Sequence, residues 1–559
     1  SALYGNAAGG VLDLRTAQSD EGPARAAVRA FDDGNQVRRY SVLASGRARS
    51  READWLVSAT RQGGDGPRVW GEQQFTSAFA RAGALVGTTR VDLQVSAFDM
   101  PTAQNPGALT AGELAGGAIL ADTLNVQRRA RKDVAHRQVG VTAARRMGSA
   151  ELVASAFYGT RALDNPQPFA IVAVDRTNWG GSLRGTAQQA WRGLTLRSTA
   201  GVDWQGQRDA RRNFENCNGR VGVVPVATCP VRGDERGALR LDQREWLAGM
   251  GAFARWEVEA PRRATLSAAI RWDELRLDLR DRFITATNAD DSGDRALGAV
   301  TPMVGATVRL TPTIAWYANV STAFETPTIT ELTNQPDGSA GLNRSLEPQR
   351  TRMLESGIKG VLGAHWRVDL AVYDARTRDE LVPFDVPGQV GRRAFRNAGR
   401  TGRRGVELAL EGVSRVVDGG VAIARARYRY EDYVLPSGTT TVRLDGRVIP
   451  GVPGTTAQGW VTARAFSWFA TLEASAQSRA ALDDANSAFA AGWTVANLRV
   501  GRVSGAGRFG AEPILGLDNL FDRRYASTLV VNATRGRFYE PGLRRTLYAG
   551  VRVTGALAR

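Results

Sequence analysis

Two cysteines, two histidines and a large excess of arginine set the chemistry open to this 559-residue chain. All but two of its 73 basic residues are arginines, and the formal net charge is +17. A guanidinium fork pairs bidentately with carboxylates and phosphates, so arginines grouped beside aromatic rings mark candidate anion sites. Four groups stand out: Arg128, Arg129 and Arg131; Arg211 and Arg212 beside Phe214; Arg392, Arg393 and Arg396 beside Phe395; and Arg535 and Arg537 beside Phe538 and Tyr539. The segment Arg376 to Arg403 alone holds seven Arg against three acids. For each group the alternative is contact with lipid phosphate or plain solvation. The even spread along the chain also fits the codon composition of a GC-rich genome. It argues against nucleic acid as a partner, which a basic patch or stripe would mark.

Cys217 and Cys229 lie in a Gly- and Pro-containing stretch, and in an exported protein such a close pair reads as a disulfide. A metal site lacks partners, because His136 and His365 show no ligand spacing. With two histidines and no Gly-x-Ser-x-Gly, no set of nucleophile, base and orienter can be assembled, so neither an enzyme nor a cofactor is expected. Two motif matches fail on context. The run from Gly505 to Gly510 has dinucleotide-loop spacing but leads into a strand pattern, leaving no helix N-terminus for a pyrophosphate. Asn288, Asp290, Ser292 and Gly293 imitate a calcium loop, yet Ala299 stands where a bidentate Glu belongs. A solvated acidic loop is the simpler reading there, with a weak site at Asp290, Asp291 and Asp294 the alternative.

The elements that would position these groups are strands. Helical periodicity is nearly absent, while two-residue alternation keeps returning: Val91, Leu93, Val95 and Ala97 share one face of Arg90 to Phe98, and Leu152, Ala154, Ala156 and Tyr158 share another. Counted along the chain there are about 22 such segments, and long links alternate with short ones. Short links fall near Gly83, Met147, Trp191, Glu259, Thr311, Leu362 and Ser504. Long ones run from Asp99 to Ala135, Gln207 to Leu241, Leu277 to Gly298, Phe324 to Arg350, Arg376 to Arg403, Leu435 to Thr456 and Asn519 to Pro541. Placing the long loops at one end is the pattern of a transmembrane barrel with an apolar outside and a polar lumen. Only alternate side chains then meet lipid, which reconciles a mean hydropathy of −0.27 with a membrane protein. The expected fold class is all-β: a 22-stranded antiparallel transmembrane β-barrel.

Particular phrases carry a family resemblance. SALYGNAAGGVLDLRT (Ser1 to Thr16) is similar to the last plug strand of TonB-dependent outer-membrane receptors, and LGLDNLFDRRYAS with GRFYEPGLRRTLYAGVRV is similar to their closing strands. FETPTITEL (Phe324 to Leu332), LNRSLEPQRTRMLESGIKG and NAGRTGRRGVELAL resemble their barrel signatures, so the likeness spans nearly the whole chain. NPGALTAGEL, PDGSAGLN and VVNATRGRFYEP further resemble members that take up pyrroloquinoline quinone, whereas the FETPT and DNLFD phrases are shared with siderophore receptors.

The resemblance implies active uptake of a scarce anionic small molecule across the outer membrane of a Gram-negative bacterium, by a monomer that makes and breaks no bond. Pyrroloquinoline quinone is the first reading of that ligand, and a ferric siderophore or other iron chelate the second. A passive pore or barrel enzyme is the reading from another class. Arg128, Arg129, Arg211, Arg212, Arg392, Arg393, Arg396, Arg535, Arg537 and Tyr539 are the candidate ligand contacts, and outer-membrane lipid and lipopolysaccharide surround the barrel. Energy would come from the TonB–ExbB–ExbD complex through an N-terminal box. The resemblance makes residues 1–20 the remnant of a plug domain and residues 21–559 the barrel; the box and most of the plug are expected to be missing ahead of Ser1, which predicts a barrel with little in its lumen. The last residues also depart from the family, which usually ends on an aromatic.

Overall fold

The computed structural model describes residues 24–48, 52–117, 119–219, 236–261, 263–333, 335–337, 341–386, 393–437, 440–504 and 509–557, with Gly5, Leu12, Leu14, Thr16, Ala17 and Cys229. Most of the expected plug remnant, and Arg392, lie outside the described residues. Among the rest, 22 strands form one antiparallel sheet. It closes when the first strand, Arg25–Asp32, pairs with the last, Thr546–Ala556, and Arg25 meets Ala556. Closure removes both sheet edges, so backbone groups inside lipid are satisfied within the barrel wall.

Many strand starts follow the alternation, but Ile171–Trp191, Arg236–Ala260, Gly293–Arg309 and Arg393–Gly412 begin well before it does. Short turns join Gln73–Val86 to Thr89–Ala103 and Asp133–Met147 to Ala150–Pro166. Among the described residues no helix is long and apolar enough to cross a membrane; the strands do the crossing. Leu93, Val95, Val139, Val141, Val304 and Leu354 point outward and are exposed. Their sequence neighbours face the lumen, as the pleat requires. Aromatic rings flank the apolar band on both sides: Trp191, Trp366 and Trp468 near the short turns, and Tyr158, Trp179 and Trp204 toward the long loops.

The strands on the loop side are longer than the membrane needs. Leu194–Asn216 runs 23 residues and Arg236–Ala260 runs 25, whereas roughly 9–11 suffice to span the bilayer. Trp366–Asp385 stays paired with Arg393–Gly412 up to Asp385 and Arg393. This corrects the expected loop limits. Arg211, Arg212, Arg393 and Arg396, expected in outer loops, lie on strands. Above the lipid both faces of a strand meet water, so the apolar alternation that marks strands in sequence fades although the backbone ladder continues.

Candidate functional site

The long loops fold inward over the barrel mouth. The connection between Ile314–Glu325 and Gln349–Leu362 holds the short helix Ile329–Leu332. Thr328 starts that helix by accepting from the Glu331 N–H, while the Glu331 carboxylate accepts from the Thr328 N–H. Burial raises the Glu331 carboxyl pKa, opposed by those bonds from Thr328. Ile329, Leu332, Leu342 and Leu346 bury against Leu277 and Leu297 of the inner wall. This apolar contact pins the FETPTITEL segment inside the mouth.

On the far side, three loops interlock. Tyr430 and Tyr433 donate to Asp484 at 2.7 and 3.3 Å. The Asp484 N–H donates to Asn532 at 2.9 Å, and Asn532 donates to the Pro383 carbonyl at 2.9 Å. Burial and the Asp484 charge push the Tyr433 hydroxyl pKa upward, so it stays a protonated donor.

Beside the first of these masses opens a vestibule of about 1740 Å³, lined in part by Thr326, Pro327, Thr328 and Ile329. Four consecutive strands, from Ala150–Pro166 to Arg236–Ala260, supply its polar wall. Arg176 holds Asp209 with two bonds of 2.9 and 2.7 Å. Arg211 donates to Thr333 at 2.8 Å and stands 3.8 Å from Glu245. Arg161 also lines the vestibule and makes no hydrogen bond or ion pair among the described residues. Among the described residues, buried Arg211 Nε, Asn213 Oδ1 and Glu245 Oε1 of this wall have no hydrogen-bond partner. Such a density of unpaired buried polar atoms is costly unless a further group meets them. Phe283 and Phe395 add apolar faces. The arrangement suits a compact ligand with several oxyanion groups and some flat apolar surface.

Of the four arginine groups read from sequence, two each send one described residue to the vestibule. Arg211 and Arg393 line the vestibule. Arg393 is already engaged, with Asp385 at 3.4 Å and the Val531 carbonyl at 2.9 Å. Arg212 faces outward beside Asp175 at 3.5 Å. Arg396 stacks 4.2 Å from the Phe384 ring centroid. Arg128 donates to the Asn218 carbonyl at 2.6 Å, Arg129 sits at a left-handed φ of 48°, and Arg131 pairs with Asp133 at 3.1 Å. Arg537 contacts Glu113 and Asp122 at 3.0 and 3.1 Å, with Arg535 3.8 Å from Asp122. Tyr539 exchanges backbone bonds of 2.7 and 3.1 Å with Leu109. Cys217 and Cys229 are joined in a disulfide with Cα atoms 5.5 Å apart. Sequence reasoning missed Arg161 and Arg176, although parity with the outward Tyr158 and Trp179 assigns both to the lumen. No grouping of His, Cys, Asp or Glu fit to hold a metal occurs among the described residues.

Comparison with known proteins places this geometry. A family model described as TonB dependent receptor-like, beta-barrel, matches residues 27–512. Among solved structures, the siderophore receptor PiuA from Acinetobacter baumannii superposes with a TM-score of 0.77 at 13% identity, covering 96% of this chain and 82% of that one. The ferric citrate transporter FecA, in its unliganded form, gives 0.75 at 14% identity, covering 96% and 79%. The copper transporter OprC gives 0.72 at 16% identity, covering 97% and 81%. At such identities these likenesses speak to the fold.

Proposed function

The chain belongs to the TonB-dependent receptor-like β-barrel family of the Gram-negative outer membrane, and from that premise we propose that it takes up a scarce metal chelate, of the siderophore or carboxylate type. The observation that carries this reading is Arg161, a cation without an ion-pair partner among the described residues, beside Arg176 and Arg211 in the vestibule wall. The chelate's oxyanions would meet these forks, and its apolar part would lie against Phe283 and Phe395. Uptake is non-covalent and TonB-dependent: the protein binds its ligand, and the proton gradient does the work of translocation. The siderophore, ferric citrate and copper cargoes of the three structural relatives support a chelate as the ligand class.

The narrower reading, pyrroloquinoline quinone, is favoured by the phrases NPGALTAGEL and VVNATRGRFYEP. Both lie in loops that the Arg537 contacts tie together, and the second reaches the vestibule, where Arg393 donates to the Val531 carbonyl at 2.9 Å. One experiment separates the readings. A strain with this receptor as its sole uptake route is grown under iron limitation and, separately, on a carbon source that requires the quinone. Receptor-dependent growth only in the first condition supports the chelate, and only in the second supports the quinone. Growth independent of the receptor in both sets both readings aside.

A further inference from the structure

One row of charge crosses the vestibule wall from strand to strand. Arg161 lies opposite Arg176, Arg176 opposite Asp209, Asp209 opposite Glu245, and Glu245 opposite Leu279. The four charged members all line the cavity. The row stands beyond the paired Tyr158 and Trp179 on the side of the long loops, above the lipid. Its order is two cations, two carboxyls and an apolar residue, so like charges face each other twice. Directly opposed like charges cost a sheet stability.

The two carboxyls differ in what they are given. Asp209 accepts from Arg176 at 2.9 and 2.7 Å and from the Gln207 amide at 3.1 Å. Glu245 is as deeply buried, at 2% exposure, yet its Oε1 accepts no hydrogen bond among the described residues. Arg211 stands 3.8 Å from that oxygen and donates instead to Thr333. On the other flank Ala264–Asp281 places Leu279 opposite Glu245, and one row above it Asp281 accepts from the Phe283 N–H. The loop helix Ile329–Leu332 brings Glu331, whose carboxylate is turned back onto the Thr328 N–H. The charge of the facing pair therefore resides on Asp209. Burial above all pushes the Glu245 pKa up to about 7, with Arg211 opposing and the Asp209 charge adding to the rise. An ionised Glu245 would also repel an anionic cargo from the cations that attract it. Protonated, the same group becomes an O–H donor.

We propose that Glu245 is a proton-carrying ligand contact, which meets an anionic chelate as a neutral acid, donates its O–H to a ligand carboxylate oxygen beside Arg161 and Arg211, and so ties binding to the uptake of one proton. The proposal rests on the chelate reading of the vestibule and adds a selection rule: the cargo must present an unprotonated oxyanion at this row. The proton passes from a buffer acid to the Glu245 carboxylate and stays there in the complex; no bond of the ligand breaks. The ligand's negative charge strengthens the hold of Glu245 on its proton, so binding takes up a proton wherever the free carboxyl is ionised. Affinity is then flat below about pH 7 and falls by about tenfold per pH unit above it.

The test uses the full chain in detergent, with ferric citrate as the probe. Calorimetry at about pH 6 and about pH 8, in two buffers of different ionisation enthalpy, yields affinity and proton uptake together. The native chain should take up close to one proton at the higher pH and almost none at the lower, and bind about tenfold more weakly at the higher. Glu245→Gln, an amide donor at every pH, should take up no proton and should bind about tenfold more tightly than the native chain at the higher pH. Any titration of the ligand itself is common to both chains and cancels. Infrared difference spectra of the unliganded protein should show a carboxylic-acid C=O band that fades through about pH 7 and is missing from Glu245→Gln. Absence of that band overturns the proposal whatever the ligand. Native affinity and proton uptake that ignore pH overturn it without any variant, as does equal proton uptake by both chains. Ferric citrate bound at neither pH, with the band present, contradicts the chelate reading of the vestibule while upholding the neutral acid at Glu245.

Discussion

Arg537 forks onto Glu113 with two bonds of 3.0 Å, joining side chains that lie 424 residues apart in the chain. The pair links the loop before the last strand to the loop that follows Thr89–Ala103. Glu113 is also the reciprocal partner of Thr110 in the cap of the short helix Ala111–Gly116. One carboxylate thus sets a helix start and clamps a second loop to it.

The first prediction concerns this clamp. The backbone N–H of Thr110, more than any other group, lowers the Glu113 carboxyl pKa, with Arg537 adding to the effect. A depressed carboxyl contributes stability above its unfolded pKa, and that contribution is lost as pH falls through the folded value. Docking of the two loops should therefore persist below pH 5 and loosen only beneath the ordinary Glu range near ~4.3. A fluorophore pair placed on the two loops would report it. Glu113→Gln should remove the pH dependence, and Arg537→Ala should weaken docking by about 0.5–1 kcal/mol, the range for a partly exposed pair.

Replacing Arg161 by Ala should leave barrel assembly intact, because no hydrogen bond or ion pair within the described protein is lost. Ligand affinity should fall by about tenfold, the worth of one charge-assisted contact. Arg211→Ala should cost both binding and loop placement, since it also frees Thr333. Titration calorimetry with a ferric carboxylate chelate, paired with thermal melting, distinguishes the two effects.

Val304 points into lipid and is 62% exposed. Val304→Arg should reduce folding stability in a bilayer by about 2–4 kcal/mol, as for a charge near the midplane of a barrel wall. The neighbouring lumen position Gly305 is no substitute, because the same charge there meets water. Urea titration of the barrel refolded into lipid vesicles measures the difference.

Alkylation before and after reduction should find the Cys217 and Cys229 thiols blocked in protein taken from native envelopes. Cys217→Ser should leave the barrel's heat-modifiable gel mobility unchanged, because the 12-residue separation confines the disulfide to one loop.

Much of the wall is legible in the sequence, because lipid outside and water inside impose a strict parity on each crossing. Leu152 to Tyr158 and Val91 to Ala97 carry that parity plainly. It fades in Asp209 to Phe214 and in Arg393 to Arg403, where water lies on both sides and only the backbone ladder remains. Sequence reasoning therefore assigns Arg211, Arg212, Arg393 and Arg396 to loops although their strands continue. Parity alone also separates Arg211, facing the lumen, from its neighbour Arg212 on the outside, a distinction that counting charges discards. The vestibule was not legible. It depends on Leu332 and Leu346 drawing a loop onto Leu277 and Leu297, a contact between segments far apart in the chain.

Energy-coupled entry of an anionic metal chelate through this barrel has a direct readout. Uptake of radioactive iron, presented as a carboxylate or siderophore chelate, should be measured in cells whose only receptor is this protein, with and without a protonophore. Uptake should be saturable, abolished by the protonophore and weakened by Arg161→Ala. Uptake that rises linearly with concentration and ignores the protonophore would contradict it, marking the barrel as a passive pore.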